Sequence, residues 1–222
     1  MLQLPLDALF RTAPQPGEKP WLLVLMHGVG SHAQDLFALA QHVPPQYHVL
    51  SLQAPYPMGP HAFAWFMFSV NPDGSRRIDE AQERTSRALV AQTIAAACTQ
   101  LNIPAERVVA GGFSQGGIMS LSLLLTQPNL IAGVCIWHSR LLPEIVPLQQ
   151  PAAQIQGRVA WVSHGTVDQV IPLAQAHAIC SHLQSVGVQL RYAQYPCAHS
   201  IHPQELHDSM QWLSECASAN KK

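Results

Sequence analysis

Apolar positions along this chain follow two rhythms that take turns. Short apolar runs read as strands: Trp21 to Met26, Tyr47 to Leu52, Arg107 to Ala110, Leu130 to Trp137, Arg158 to Val162, and the alternating Val188 to Tyr195. Between them, apolar residues recur at intervals of three and four, as expected of helices with one face buried. These stretches are Asp35 to Val43, a long one over Asp79 to Leu101, a run from Ile118 to Thr126, and one opened by Pro172 and closed by Gly187. A last helix places Leu206, Met210 and Leu213 on one side. Alternation of this kind predicts the α/β class, with a mostly parallel central sheet and helices on both faces.

One stretch breaks the rhythm. Met58 to Arg77 is too polar and too interrupted by glycine and proline for a helix, yet carries Phe63, Trp65, Phe66, Met67 and Phe68. A hairpin turning at Asp73-Gly74 fits it. Its aromatics either wall an apolar pocket at the cleft or pack on the sheet, and the sequence leaves both readings open.

The chain has 222 residues, 48% of them apolar, enough for one well-buried domain over 1–222 with residues 1–19 as an N-terminal extension. Twelve basic against thirteen acidic residues leave a formal charge of −1, with no electrostatic footprint for nucleic acid or an anionic membrane. Met1 to Lys19 lacks the basic start and apolar core of a secretory signal, and no apolar run approaches the ~20 residues needed to span a bilayer. Five scattered cysteines without a C-x-x-C pair suit reduced thiols, so the expected location is cytoplasmic, without integral membrane association.

Chemistry concentrates at Gly111-Gly112-Phe113-Ser114-Gln115-Gly116-Gly117, where a strand pattern meets a helical one. A G-x-S-x-G match alone is weak, but a serine on a tight strand-to-helix turn projects its hydroxyl into a cleft. Its partners are then expected in the order serine, acid, histidine. Only two carboxylates, Glu144 and Asp168, lie between Ser114 and the loop histidines His199 and His202. Asp168 follows a strand in a loop, where open α/β sheets gather their reactive groups, whereas Glu144 sits in a Pro-bounded connection. Of the five histidines after Asp168, His177 and His182 fall on a helix stripe and His207 on the last helix. His199 follows a strand and the Pro196 break, with His202 in the same loop as runner-up. A neutral imidazole would take the serine proton while the carboxylate holds its tautomer. The amide of Gln115 and one from the loop after the first central strand, His27-Gly28-Val29-Gly30, would bind the oxyanion. Cys197 lacks a glycine-framed turn and reads as a small packed thiol. The twelve histidines show no H-E-x-x-H or Cys/His spacing, so no metal site is expected.

Together these pieces resemble the α/β-hydrolase superfamily, and within it the phospholipase/carboxylesterase group that includes the acyl-protein thioesterases. The resemblance runs from about Trp21 to Trp212. It rests on His27-Gly28-Val29-Gly30, Ala54-Pro55-Tyr56-Pro57, Trp65-Phe66, the Ser114 elbow, His164-Gly165-Thr166-Val167-Asp168 and Ala198-His199-Ser200-Ile201. It implies Ser114 as nucleophile, Asp168 as acid, His199 as base, the Val29 and Gln115 amides as oxyanion hole, and Trp65 with Phe66 at the substrate. The implied activity is cofactor-independent hydrolysis of a small-molecule ester or thioester, with a lysophospholipase, an acyl-protein thioesterase or a non-catalytic binding protein of the same fold as alternatives. Ser31, Met67 and Ala198 depart from the group's usual residues, all on loops expected to border the cleft. Whether the protein works as a monomer or a homodimer is open at this stage.

Overall fold

The computed structural model describes residues 2–17, 19–72 and 76–219. In chain order the strands and helices are β1 (Ala8–Arg11), β2 (Trp21–Met26), α1 (Ala33–Phe37), β3 (Tyr47–Leu52), β4 (Tyr56–Gly59), β5 (Ala62–Ala64), β6 (Phe68–Val70), β7 (Arg76–Ile78) and α2 (Glu80–Leu101). Then come β8 (Val108–Phe113), α3 (Gln115–Thr126), β9 (Gly133–Trp137), α4 (Ala152–Ile155), β10 (Val159–Gly165), α5 (Leu173–Ser185), β11 (Gln189–Tyr195) and α6 (Pro203–Ala219). The main sheet has seven strands in the order β1-β3-β2-β8-β9-β10-β11, and every neighbouring pair is parallel except β1 with β3.

Side chains alternate across a strand, so each β2 residue commits to one face or the other. Leu22, Val24 and Met26 join the cluster formed with Val90 and Ile94 of α2, Leu121 and Leu125 of α3, and Ile179 and Leu183 of α5. Trp21, Leu23 and Leu25 join the opposite cluster with Leu36 of α1 and Met210, Trp212 and Leu213 of α6. A strand buried on both faces favours an unbroken apolar run, and β2 is one. The strand β3 is buried throughout as well but carries His48, which accepts the Ala13 N–H, and Ser51, which donates to Ala33 O. The helix α2 starts where Asp79 accepts the Gln82 N–H as a cap and stops at Asn102, whose left-handed backbone (φ 53°) closes its end.

Two expectations change. The N-terminal extension is partly built into the sheet: β1 pairs antiparallel with β3 from Ala8 opposite Leu52 to Arg11 opposite Val49, and the Arg11 guanidinium donates to the carbonyls of Ala40 and Tyr47. The aromatic stretch is more ordered than its composition suggests. Besides β6 with β7, which flank the expected turn, it pairs β4 with β5. The expected turn residues Asp73 and Gly74 lie outside the described residues.

All parallel strands point their carboxyl ends the same way, so the segments after β2, β8, β9, β10 and β11 gather at one end of the sheet. The groove between Trp21, Arg158, Arg191 and Trp212 lies at the opposite end, where β2, β10 and β11 begin.

Candidate active site

Ser114 joins β8 to α3 with φ 54° and ψ −116°, a backbone state that L-residues rarely adopt. The surroundings hold it there: its N–H donates to Trp137 O at 3.0 Å, and its carbonyl accepts from Ile118 N and, at 2.8 Å, from Ser139 Oγ. The two glycines framing the elbow are required sterically. A Cβ on Gly112 would lie 2.2 Å from the Gly116 carbonyl carbon, and one on Gly116 would lie 1.8 Å from Met26 O. Strain over-determined in this way is typical of reactive turns.

Three side chains from three strand ends converge. Ser114 Oγ lies 2.9 Å from His199 Nε2, and His199 Nδ1 lies 2.6 Å from Asp168 Oδ2. Asp168 Oδ1 accepts the Val170 and Ile171 amides at 2.9 Å each, so the carboxylate is anchored before it meets the imidazole. Burial would raise the Asp168 pKa, but the Ile171 amide and the His199 and His138 contacts outweigh it and hold the carboxyl below its ordinary value. It is therefore ionised and accepts from Nδ1–H, which leaves Nε2 as the acceptor facing the serine hydroxyl. The Phe113 ring packs against the His199 ring at 4.8 Å and limits its orientation.

The loop after β2 lies over the elbow: a Cβ on Gly28 would come within 3.5 Å of Ser114 Cβ. His27 is buried and shapes this loop, with Nδ1–H on Gly28 O at 2.8 Å and Nε2 accepting the Ala54 N–H at 3.1 Å. Burial lowers its pKa, in keeping with the neutral form that this pattern requires. The next amides are used, Gly30 on Phe63 O and Ser31 on Gly28 O. Neither the Val29 amide nor that of Gln115, the first residue of α3, donates to a backbone carbonyl among the described residues. They are the two amides expected to bind an oxyanion.

With this geometry in view, comparison with known proteins places the chain. The family model for Phospholipase/Carboxylesterase matches residues 11–217. The chain belongs to the phospholipase/carboxylesterase family. It is an enzyme, a hydrolase acting on ester bonds. It is 28% identical over 231 residues to acyl-protein thioesterase 1 of Mycosarcoma maydis, covering 93% of this chain and 95% of that one. A match of 30% identity to the probable carboxylesterase Os04g0669500 of rice (Oryza sativa subsp. japonica) spans 54% of this chain and 46% of the other. The structure is similar to the Bacillus cereus carboxylesterase, with a TM-score of 0.81 at 19% identity over 95% of this chain and 94% of that one, which establishes the α/β-hydrolase fold.

The family's Trp-Phe pair does something other than the expected lining of a substrate pocket. Trp65 is fully buried and Phe66 nearly so. The Trp65 indole donates to His27 O at 2.9 Å, while the Gln115 side chain accepts the Trp65 N–H at 2.8 Å and donates to Phe66 O at 2.7 Å. Trp65 thus braces the His27 loop against the elbow and offers no surface to a substrate. The departure at Ser31 is accommodated locally, its hydroxyl donating to Asp35 Oδ2 at 2.6 Å.

The other candidates are placed elsewhere. The His202 ring stacks on Tyr195 and accepts from the Gln204 amide. His177 meets Gln194, His182 meets Gln149, and His207 is exposed on α6. Glu144 lies in the turn before a short helical segment, near Arg140. Burial, with the charges of Glu205 and Asp168, raises the Cys197 thiol pKa, the opposite of what a nucleophilic cysteine needs.

Sequence reasoning missed two residues. His138, at the end of β9, places Nδ1 3.1 Å from Asp168 Oδ2 and Nε2 3.2 Å from Glu205 Oε2. The expected order of serine, acid and histidine confined the search to histidines after Asp168, so His138 was never weighed. Its one available signal was its place directly after a strand, the position Ser114 also holds. Two donor sets, His138 with Cys197 and Glu205, and His138 with His164 and Asp168, are close enough to surround a cation. In both, His138 already contacts a carboxylate of the set.

Proposed function

We propose that this enzyme is a serine carboxylesterase that works through an acyl-serine intermediate. The observation behind the reading is the unbroken line from Ser114 Oγ through His199 to Asp168, at 2.9 and 2.6 Å. Ser114 Oγ attacks the ester carbonyl carbon as its proton passes to His199 Nε2, and Asp168 stabilises the imidazolium that forms. The Val29 and Gln115 amides stabilise the oxyanion, assisted by the amino end of α3. Collapse of the tetrahedral adduct breaks the carbonyl carbon to alkoxide bond, and His199 gives its proton to the departing oxygen. Water then attacks the acyl-serine with His199 again as base, releasing the carboxylic acid and restoring Ser114. Protons move only among these groups, water and substrate, so the cycle requires no cofactor or metal. Five unpaired cysteines favour a reducing, cytoplasmic setting.

A thioester in place of the oxygen ester is the second reading, favoured by the full-length likeness to an acyl-protein thioesterase. Kinetics on matched nitrophenyl esters and acyl thioesters of increasing chain length decide between them. Oxygen esters are expected to give the higher kcat/KM, and a consistent preference for thioesters reverses the assignment.

A further inference from the structure

Asp168 has a second histidine behind it. His138 is fully buried at the carboxyl end of β9, in a left-handed backbone conformation (φ 50°) that aims its ring between Asp168 and Glu205. Glu205, from the first turn of α6, is fully buried too. Both carboxylates already act as acceptors. Asp168 takes two amides on Oδ1 and His199 on Oδ2, and Glu205 Oε2 takes the His202 amide at 2.9 Å. A neutral imidazole has one N–H and cannot donate to carboxylates on both of its nitrogens. The arrangement therefore needs one more proton than a neutral histidine between two carboxylates would carry. Glu205 Oε2 already accepts the His202 amide, and Asp168 Oδ2 already accepts from His199, so the ring is the member of the set left to carry that proton.

We propose that His138 is an imidazolium bridging Asp168 and Glu205, a positioning residue that fixes the acid of the triad and sets the charge His199 experiences. The proposal builds on the triad reading above. Every titratable group facing His138 is compatible with a single cation there. From the end of β10, the His164 ring stacks on it at 5.2 Å, and burial keeps that imidazole neutral by lowering its pKa. From the loop after β11, Cys197 Sγ lies 4.0 Å from Nε2 as a thiol with a raised pKa, and the His199 ring stands edge-on at 5.7 Å. Burial alone would lower the His138 pKa, but its contacts with Glu205 and Asp168 outweigh burial and raise it.

The consequence for catalysis has a sign. A cation against Asp168 offsets part of the negative charge that faces the His199 ring, and so opposes the gain of a second positive charge beside it. Without that cation the acid limb of kcat/KM moves to higher pH.

Nitrogen NMR of the full-length protein labelled with ¹⁵N-histidine tests the charge directly, with the His138 signals identified by their loss in His138→Asn. Both ring nitrogens are expected to show imidazolium shifts at pH 7.5, where a free histidine, with a pKa of about 6.5, is largely neutral. A neutral tautomer at pH 7.5 overturns the proposal. Glu205→Gln then tests the coupling, because the amide can still hydrogen-bond the ring but brings no charge. It is expected to make His138 neutral at pH 7.5 and to raise the midpoint of the acid limb for nitrophenyl acetate by about one unit. A limb that stays in place while His138 loses its charge shows that the histidine only fills space, and overturns the proposal. Failure of Ser114 to react with a fluorophosphonate would instead sink the triad reading and leave the NMR result intact.

Discussion

The elbow around Ser114 and the hairpin β4–β5 with the Trp65-Phe66 segment after it meet at one residue, Gln115, which opens α3 and clamps the backbone of Trp65 and Phe66. At the elbow the residues that make the motif recognisable also carry the candidate chemistry: the glycines are needed because backbone passes within 2.2 Å of a would-be Cβ, and the serine they frame turns its hydroxyl to His199 Nε2 at 2.9 Å. In the Trp65 segment the recognisable residues present nothing to the cleft. Trp65 and Phe66 are buried, and their contribution is the spacing between the His27 loop and α3. A residue can thus belong to a recognisable pattern through its work on a neighbouring loop, here the one whose Val29 amide is expected to bind an oxyanion.

The comparison breaks first at Ser114. Replacing it by alanine is expected to lower kcat by about 10⁶-fold, the scale for loss of a triad nucleophile, and to abolish fluorophosphonate labelling with the thermal midpoint nearly unchanged. Peptide mapping that finds the label on Cys197 would move the nucleophile off the elbow. Next in size is Asp168→Asn, expected to cost about 10⁴-fold in kcat because it disturbs the tautomer of His199, while Glu144→Gln stays within about twofold. Reversed effects would make Glu144 the acid. His199→Ala belongs to the same group of measurements, and His202→Ala, whose ring stacks on Tyr195, should keep most of the activity.

On the other side of the comparison, Trp65→Ala is expected to cost about 3–5 kcal/mol of stability, read from denaturant unfolding, and to lower kcat/KM evenly across an acyl chain-length series. A gain confined to long esters with stability unchanged would restore Trp65 as a pocket wall. The smallest effect concerns pH. The lowered Asp168 pKa adds stability above the ordinary carboxylate value of about 4, lost as pH falls through the lowered native value. The raised His138 pKa adds stability below about 6.5, lost as pH rises through the raised native value. Thermal midpoints should therefore be highest in mildly acidic to neutral solution, with a decline on the alkaline side that Glu205→Gln flattens. An identical alkaline decline in the variant would remove His138 as its source.

What could be read in advance follows from how strongly each residue is constrained. Trp21–Met26 was found with its boundaries because a central strand buried on both faces favours an unbroken apolar run, and Tyr47–Leu52 because four of its six residues are apolar or aromatic despite the buried His48 and Ser51. Asp168 and His199 stood out because carboxylates are scarce between Ser114 and the final histidines. The strand β1 escaped because four residues with intermediate burial carry no periodic signal; only pairing with β3 defines it. The β4–β5 hairpin escaped for a related reason, since β5 is placed by bonds such as Gly30 N–H to Phe63 O, between residues far apart in the chain, whereas the pair β6–β7 flanks the turn expected at Asp73-Gly74. His138 and Glu205 belong to no spacing rule, because their partnership exists only after β9 and α6 have been brought together.

The short strand β1 has a consequence for handling the molecule. It occupies the outer flank of β3, whose inner flank is taken by β2. Stripping it away would leave a row of unpaired amides and carbonyls beside Val49 and Leu50, a template on which a second chain could dock strand against strand. The first dozen residues thus work as a seal, and trimming or crowding them in a fusion protein invites self-association even though the end of the sheet that holds Ser114 is untouched.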